Sequence, residues 1–374
     1  MVCYGRATTI RSRVRGVHLT HQWNGVRMLK RAILHVAKWA GLFHVALFLT
    51  RKGLRILCYH GFSLDDEARF RPRLFMNPAT FEQRMRLLAE KKFSVLALEE
   101  ALKLLSECEV PRGAVVLTID DGFAGVYERA LPILRRFSFP ATVYVTSYNV
   151  LKGTPVFRLA VQYIFWKTCE AQLTTEGLDL PLPPKLAISS VQERETVLSQ
   201  IVEFGENELD EQRRSQLIRL LCKRLKIDPD YLITSRIVSM MNPTEIRAAA
   251  GSGMDIQLHT HRHQFQMDRG LAMKEIEDNR SVLEPLVAKQ LFHFCYPSGI
   301  WDKRQWPWLE ELQINSATTC VPGLNYCGTP RLGLKRFLDG ENVHPIEFES
   351  EVYGFSPLLR SVRAVFRTHR PISS

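Results

Sequence analysis

Asp120 and Asp121 stand side by side after the apolar run Leu117-Thr118-Ile119 and are followed by Gly122 and Phe123. Two adjacent acids leaving a strand point in different directions, so one can bind a metal ion while its neighbour handles a proton. The same Asp-Asp-Gly sequence can instead turn the chain and cap a helix beginning near Gly125. A second cluster, His259-Thr260-His261-Arg262-His263, follows an apolar segment ending at Leu258. Zinc takes imidazole and carboxylate ligands, and a catalytic zinc site normally has three protein ligands and one open position. Asp121, His259 and His263 would supply those three. His261 is an alternative to either neighbour, because alternation along an extended segment puts all three imidazoles on one face. The order, an acid and then two histidines, weakly disfavours a non-haem iron oxygenase, whose triad uses the same ligand types.

Two further clusters end apolar segments. Phe294-Cys295-Tyr296-Pro297-Ser298-Gly299 is a strand exit of the kind that can aim backbone N–H groups into a pocket, and Cys58-Tyr59-His60-Gly61 closes the first strand. Cys58 and Cys295 would sit beside the site, with packing as small core residues their expected role.

These clusters need a scaffold that brings strand ends together. From Arg55 onward the chain alternates short apolar strands, over 56–59, 115–119, 141–146, 255–258, 291–296, 315–320 and 332–337, with helical periodicity over 81–91, 98–108, 125–137 and 273–287. That rhythm predicts an α/β fold, a distorted (β/α) barrel of about seven strands, in which active-site residues leave the C-terminal strand ends. Asn242, Pro243 and Glu245 announce a helix start, and Gly251 or Gly253 can close it. Between Tyr148 and Met241 the rhythm breaks, which predicts a helical insertion at about 149–241 that serves as a cover or partner surface.

The charge is uneven. Residues 1–55 hold eleven Lys or Arg and no Asp or Glu, and the first acid is Asp65. The remaining 39 basic residues balance 39 acidic ones, so the net charge of +11 lies within residues 1–55, which predicts a basic N-terminal arm, 1–54, ahead of a barrel domain, 55–374. A nucleic-acid-binding surface would need that surplus on the folded part, and it is absent there. Residues 28–49 read as a helix with Trp and Phe side chains, suited to an anionic lipid surface or to packing on the globular part. No small-residue cleavage site follows Leu49 and no run of 18 apolar residues occurs. Eight cysteines form no CxxC pair and no dense framework, which predicts a reducing compartment: the cytoplasm, with peripheral contact at the inner membrane face.

Together these motifs resemble the polysaccharide deacetylase family, the NodB-homology carbohydrate esterases, over about Arg55 to Asp339. Thr118-Ile119-Asp120-Asp121-Gly122 looks like the family's T-F-D-D-G motif with Ile for Phe, and His259-Thr260-His261-Arg262-His263 like its H-[ST]-x-x-H motif. The resemblance implies Asp120 as general base, Asp121, His259 and His263 as ligands of a divalent metal, zinc first among them, and Ser298 and Tyr296 beside the substrate and its oxyanion.

The chain also departs from the pattern. Cys295 stands where the family has the Arg that orients the base, no D-x-x-D-W motif is found, and the late L-x-H motif falls on Leu334-Lys335-Arg336, without a histidine. In one branch that last motif is permuted to a first strand ending in Tyr-His, which Tyr59-His60 matches, so His60 is assigned as general acid. The implied reaction removes N-acetyl groups from an amino sugar in a polysaccharide or lipid-linked glycan precursor. A glycan-binding or assembly protein that has lost turnover, or a deformylase-type amidase, are the alternatives.

Overall fold

The structure is a computed structural model that describes residues 16–368, with side chains described over 25–363. Seven parallel strands form one curled sheet: β1 (Arg55–Tyr59), β2 (Ala114–Ile119), β3 (Thr142–Val145), β4 (Asp255–Leu258), β5 (His293–Cys295), β6 (Ser316–Thr318) and β7 (Phe337–Leu338). Their spatial order is β6-β5-β4-β3-β2-β1-β7, with a two-residue strand, Ser94–Val95, beside β2. Every residue of β1 and β2 is buried, as expected where helices cover both faces of a parallel sheet. A parallel bridge between Thr318 and Leu334 carries the curl from β6 round towards β7. The predicted α/β barrel of about seven strands is the architecture found.

The helices that matter below are α1 (Gly16–Trp39), α2 (Leu42–Leu49), α3 (Pro78–Glu90), α4 (Leu98–Ser106), α5 (Leu131–Phe137), α6 (Phe157–Lys167), α7 (Val191–Glu208), α8 (Glu211–Arg224), α9 (Pro243–Gly251), α10 (Arg269–Val287), α11 (Pro345–Val352) and α12 (Phe355–Thr368). The start of α9 is capped as its sequence announces: Asn242 and Glu245 exchange hydrogen bonds in a capping box, and Pro243 occupies the first turn.

Three boundaries differ from the sequence reading, each for a local reason. The helix read over 28–49 breaks at Gly41, whose φ of +75° is open to glycine at little cost, and α2 leaves α1 at 80°. The helix read from 125 opens with a π turn, Val126–Ala130, before α5; such turns recur next to functional sites. A Cβ on Gly125 would lie 1.9 Å from the Phe62 carbonyl oxygen, so this approach admits only glycine. The strand read over 332–337 starts later, because Arg331–Gly333 is a 3-10 turn and pairing with β1 begins at Phe337.

The insertion belongs to the connection between β3 and β4. It contains α6, a hairpin of Gln172–Thr174 with Lys185–Ala187, α7 and α8. Its apolar side chains, among them Phe157, Val197, Ile201 and Leu221, join the main hydrophobic core. Its returning limb also touches the site, because Met241 N–H donates to the Gly122 carbonyl and Ala124 N–H to that of Ser239.

The basic arm is docked by one face. Leu34, Ala37, Phe43 and Ala46 are buried, Phe43 packs on Tyr353 and Phe355, and α1 reaches α11 through Lys30–Glu347 and Lys38–Glu349 ion pairs. Arg55 is buried where the arm enters β1, donating to the carbonyls of Val352 and Gly53.

Cys108 and Cys327, 219 residues apart, form a disulfide with Cα atoms 5.2 Å apart. Nothing in the cysteine spacing foretold it, because only the tertiary fold brings the end of α4 to the loop before β7. Disulfides persist in oxidising compartments, so the pair weighs against the reducing compartment read from the sequence. Alkylation without reduction is expected to leave these two cysteines unmodified in peptide mass spectra. By the loop-closure argument, Cys108→Ser should cost up to about 5 kcal/mol of stability to unfolding. Free thiols at both positions in protein isolated from its native host would overturn the pairing.

Candidate active site

β2 delivers Asp120 and Asp121, β4 delivers His259, and β1 delivers His60, all at their C-terminal ends. This is the face at which parallel α/β barrels place catalysis. The backbone there is shaped with unusual conformations: Asp121, Thr260, His263 and Ser298 adopt φ of 71°, 64°, 58° and 58°. For non-glycine residues, and above all for a β-branched threonine, the left-handed region is sparsely populated, and such residues gather at functional sites.

Asp121 Oδ1 lies 3.3 Å from His259 Nε2 and 3.4 Å from His263 Nε2. Two ligand atoms held about 2.0–2.1 Å from one ion at the tetrahedral angle are about 3.3–3.4 Å apart. Asp121 is therefore spaced from each histidine as two ligands of a zinc-like ion would be, and the three donor atoms lie within 4.8 Å of one another. His259 Nδ1 sits 2.8 Å from the Cys295 carbonyl. A proton on Nδ1 directed at that carbonyl leaves the Nε2 lone pair facing Asp121, the usual way a ligating imidazole is oriented. Asn279 adds a second restraint, accepting from His259 N–H at 2.9 Å while its amide donates to Val145 and Ser147. Burial pushes His263 down to about 3, which leaves it neutral. Spacing alone left open which two histidines converge, and the family resemblance named His259 and His263. The structure gathers His259 and His263 beside Asp121, and turns His261 away to Ser147 Oγ, 2.9 Å from Nδ1, and to the ring of Tyr148.

Asp120 is held separately. Its side chain is 3% exposed, against 13% for Asp121 and 14% for His263, so the ligand side of the site opens to solvent and the base side is enclosed. Arg336, fully buried, donates to both carboxylate oxygens at 2.7 Å. It is fixed in turn by the Thr319 carbonyl at 2.9 Å, Thr118 Oγ1 at 3.1 Å and Cys295 Sγ at 3.1 Å. The thiols of Cys58 and Cys295 approach Asp120 Oδ2 at 3.4 and 3.3 Å, so both cysteines sit beside the site as expected. Burial alone would raise the Asp120 carboxyl; the paired guanidinium outweighs it and holds the group well below the usual carboxylate range.

Arg336 corrects the sequence reading that the orienting arginine is missing. The cation comes from the segment leading into β7 rather than from the Pro297-Ser298-Gly299 segment, and Cys295 fills the vacated position as a contact of the same carboxylate. The available signal was that Leu334-Lys335-Arg336 aligned with a late family motif, which already placed residue 336 at the strand ends.

His60 Nε2 is 3.9 Å from Asp120 Oδ2, and His60 Nδ1 is buried with no hydrogen-bond partner. Ser298 occupies its left-handed turn after β5. Tyr296 departs from its expected place beside the substrate: it is 1% exposed, its hydroxyl donates to the Leu332 carbonyl at 2.9 Å and its backbone N–H to that of Thr318. Cys295 turns its thiol to Asp120 and Tyr296 turns its hydroxyl to Leu332, as successive residues leaving a strand alternate.

Strand ends, an enclosed carboxylate and a triad of possible metal ligands form one candidate site at the C-terminal face of the barrel. Residues 108–169 and 229–317 match the family model described as polysaccharide deacetylase, and the unmatched stretch between them lies within the insertion. Those segments carry Asp120, Asp121, His259 and His263, and over them the chain is similar to that family. The Bacillus subtilis protein YxkH, named as a polysaccharide deacetylase, is 28% identical over 98 residues, 26% of this chain and 33% of its own. The chain thus matches about a third of that curated relative's length. Two solved structures share the fold: the Streptococcus pyogenes deacetylase PplD in complex with acetate, with TM-score 0.53, 18% identity, and 80% of this chain and 98% of that one covered, and IcaB from Ammonifex degensii, with TM-score 0.51, 16% identity, and 82% and 97% covered.

Proposed function

We propose that the protein is a divalent-metal-dependent hydrolase that removes N-acetyl groups from an amino sugar in a polysaccharide or a lipid-linked glycan precursor. The observation that carries this reading is the cluster of Asp121, His259 and His263 donor atoms beside a second carboxylate kept ionised by Arg336. Asp121, His259 and His263 would hold the ion, with zinc the best match to two imidazoles and a carboxylate. When bound, such an ion acidifies water and polarises an acyl carbonyl.

Asp120 accepts the proton of the attacking water, and Arg336 keeps it in the anionic form that a base requires. His60, facing the same space, protonates the departing amine. The Ser298 backbone N–H is assigned to the developing oxyanion. A binding protein without turnover is suggested by the arginine and the late histidine missing from their motifs; Arg336 supplies the cation and His60 is assigned the histidine's role, which favours catalysis.

We place the reaction at a membrane, in contact through residues 1–54, on the strength of eleven Lys or Arg without one acid over residues 1–55. The inner face is the side read from the sequence and the Cys108–Cys327 disulfide argues for the outer one, so the redox state of that pair in native protein assigns the side.

Acetate release from N-acetylglucosamine oligomers by metal-analysed protein tests the reaction. His60→Ala and Asp120→Asn are each expected to lower kcat by about 10²–10⁴ with the metal content unchanged. One equivalent of metal with neither acetate nor formate released, from soluble or lipid-linked sugars, would overturn the hydrolase reading in favour of a binding protein.

A further inference from the structure

The docked arm presents its apolar side outward. Along α1, Val26, Leu29, Ile33 and Val36 follow three- and four-residue spacing and are 54–67% exposed, while Trp39 at the helix end is 90% exposed. The charges lie on the other side, where Lys30 and Arg31 face Glu347 and Lys38 faces Glu349. α1 thus buries Leu34 and Ala37 as an ordinary surface helix does, but carries a second apolar stripe where such a helix shows charges to water. The exposed apolar surface continues along α2, where Phe48 is 53% and Leu49 62% exposed. No charged residue occurs between Trp39 and Thr50. Among the described residues, ten of the twenty-one large exposed hydrophobics fall within 26–49, so they form a patch rather than a scatter. A contiguous apolar patch of this kind marks an interaction site.

We propose that the outer face of α1 and α2 is a monotopic docking surface for an anionic lipid bilayer, with both helices lying in the headgroup region. The proposal deepens the membrane placement above and is independent of the hydrolase chemistry. Three observations select lipid. The patch is bordered by Arg51 and Lys52 and belongs to a 55-residue stretch without a single acid, a charge complement to anionic headgroups. Trp39, at the bend between the helices, pairs an apolar ring with a polar N–H, which suits the membrane interface. The two helices meet at 80°, and among the described residues no single helix is long and apolar enough to cross a membrane. Leu34, Ala37 and Phe43 hold the opposite face on the protein body, so insertion as a span would strip that packing. A pair of helices fixed by one face and apolar on the other fits the surface of a bilayer. α2 leads into the N-terminal end of β1, and His60 follows its C-terminal end, so docking leaves the catalytic residues clear of the lipid.

The test is sedimentation of the full-length protein with sucrose-loaded vesicles of phosphatidylcholine, with and without a quarter of phosphatidylglycerol, alongside analytical ultracentrifugation without lipid. Binding is expected to anionic vesicles, reduced at least tenfold by the pair Trp39→Glu and Phe48→Glu. Arg51→Glu with Lys52→Glu should weaken binding to anionic vesicles only. Brominated lipid should quench the wild type more than Trp39→Phe. Acetate release from soluble oligomers should be unchanged in all these variants, so a failed hydrolase reading and a failed docking reading are told apart. Wild-type protein that stays in the supernatant would overturn the proposal, as would a dimer that the same substitutions dissolve while vesicles are ignored, which would assign the face to a second copy.

Discussion

Arg336→Met is expected to destabilise the protein by about 3–5 kcal/mol and to abolish most of its activity. The guanidinium is fully buried and makes five hydrogen bonds, two of them to Asp120. Its loss strands a carboxylate that is 2% exposed, with only thiols and a distant imidazole around it. The pH dependence follows from the direction of the Asp120 shift. In the wild type the folded-state carboxyl titrates below its unfolded value, so the pair's contribution is present above the unfolded pKa of about 4 and is lost as pH falls towards the folded one. In the variant burial acts unopposed and raises the carboxyl, so stability falls as pH rises through and beyond that range. The acid limb of the activity profile moves to higher pH, since a protonated Asp120 cannot accept a proton. Arg336→Met with Asp120→Asn removes both charges and should regain part of the lost stability while remaining inactive. Equal melting temperatures for wild type and Arg336→Met, with an unmoved acid limb, would refute the role given to this ion pair.

Chelation is expected to remove activity completely, and added zinc to restore it. Asp121→Ala should lose metal affinity by well over the 10–100-fold seen when residues behind a ligand are changed, because it deletes one of three donors. Asn279→Ala, which frees the His259 backbone without touching a donor, should fall within that 10–100-fold range. Metal at 100 times its dissociation constant adds about 2.7 kcal/mol to the stability of the native state, so the wild-type melting temperature should climb with free zinc and that of Asp121→Ala should not. Calorimetric titration and thermal melts read these effects without reference to turnover. Undiminished acetate release by metal-free protein would remove the triad from the chemistry.

Much of this site was legible as local pattern. Apolar runs ending in Asp120-Asp121 and in His259-Thr260-His261-Arg262-His263 carry both the strand and the chemistry that leaves it, because strand ends are where a parallel barrel gathers its reactive groups. His60 was legible for the same reason. The helix start at Asn242 was readable because capping is settled within four residues. The choice between His261 and His263 was not readable from spacing, only from the family resemblance: the convergence depends on positive φ at Thr260 and His263, which breaks the simple alternation of an extended strand. Tyr296 was misplaced because motif alignment names a residue without saying which way its side chain points.

What the sequence determined by itself was the set of donors, the parallel α/β rhythm and the location of the charge surplus, since each of these is written in neighbouring residues. The tertiary structure alone decided that Arg336 reaches Asp120 across 216 residues, that Cys108 meets Cys327 across 219, and that the arm turns its apolar side outward. Residues far apart in the chain interact only through the curl of the sheet that brings β7 beside β1, and a helix face has an inside and an outside only once something is packed against it. In this protein that something is α11 and α12: Glu347 and Glu349 of α11 pair with the arm's cations, Tyr353 and Phe355 cover Phe43, and Leu29, Ile33, Val36 and Trp39 are left to the exterior.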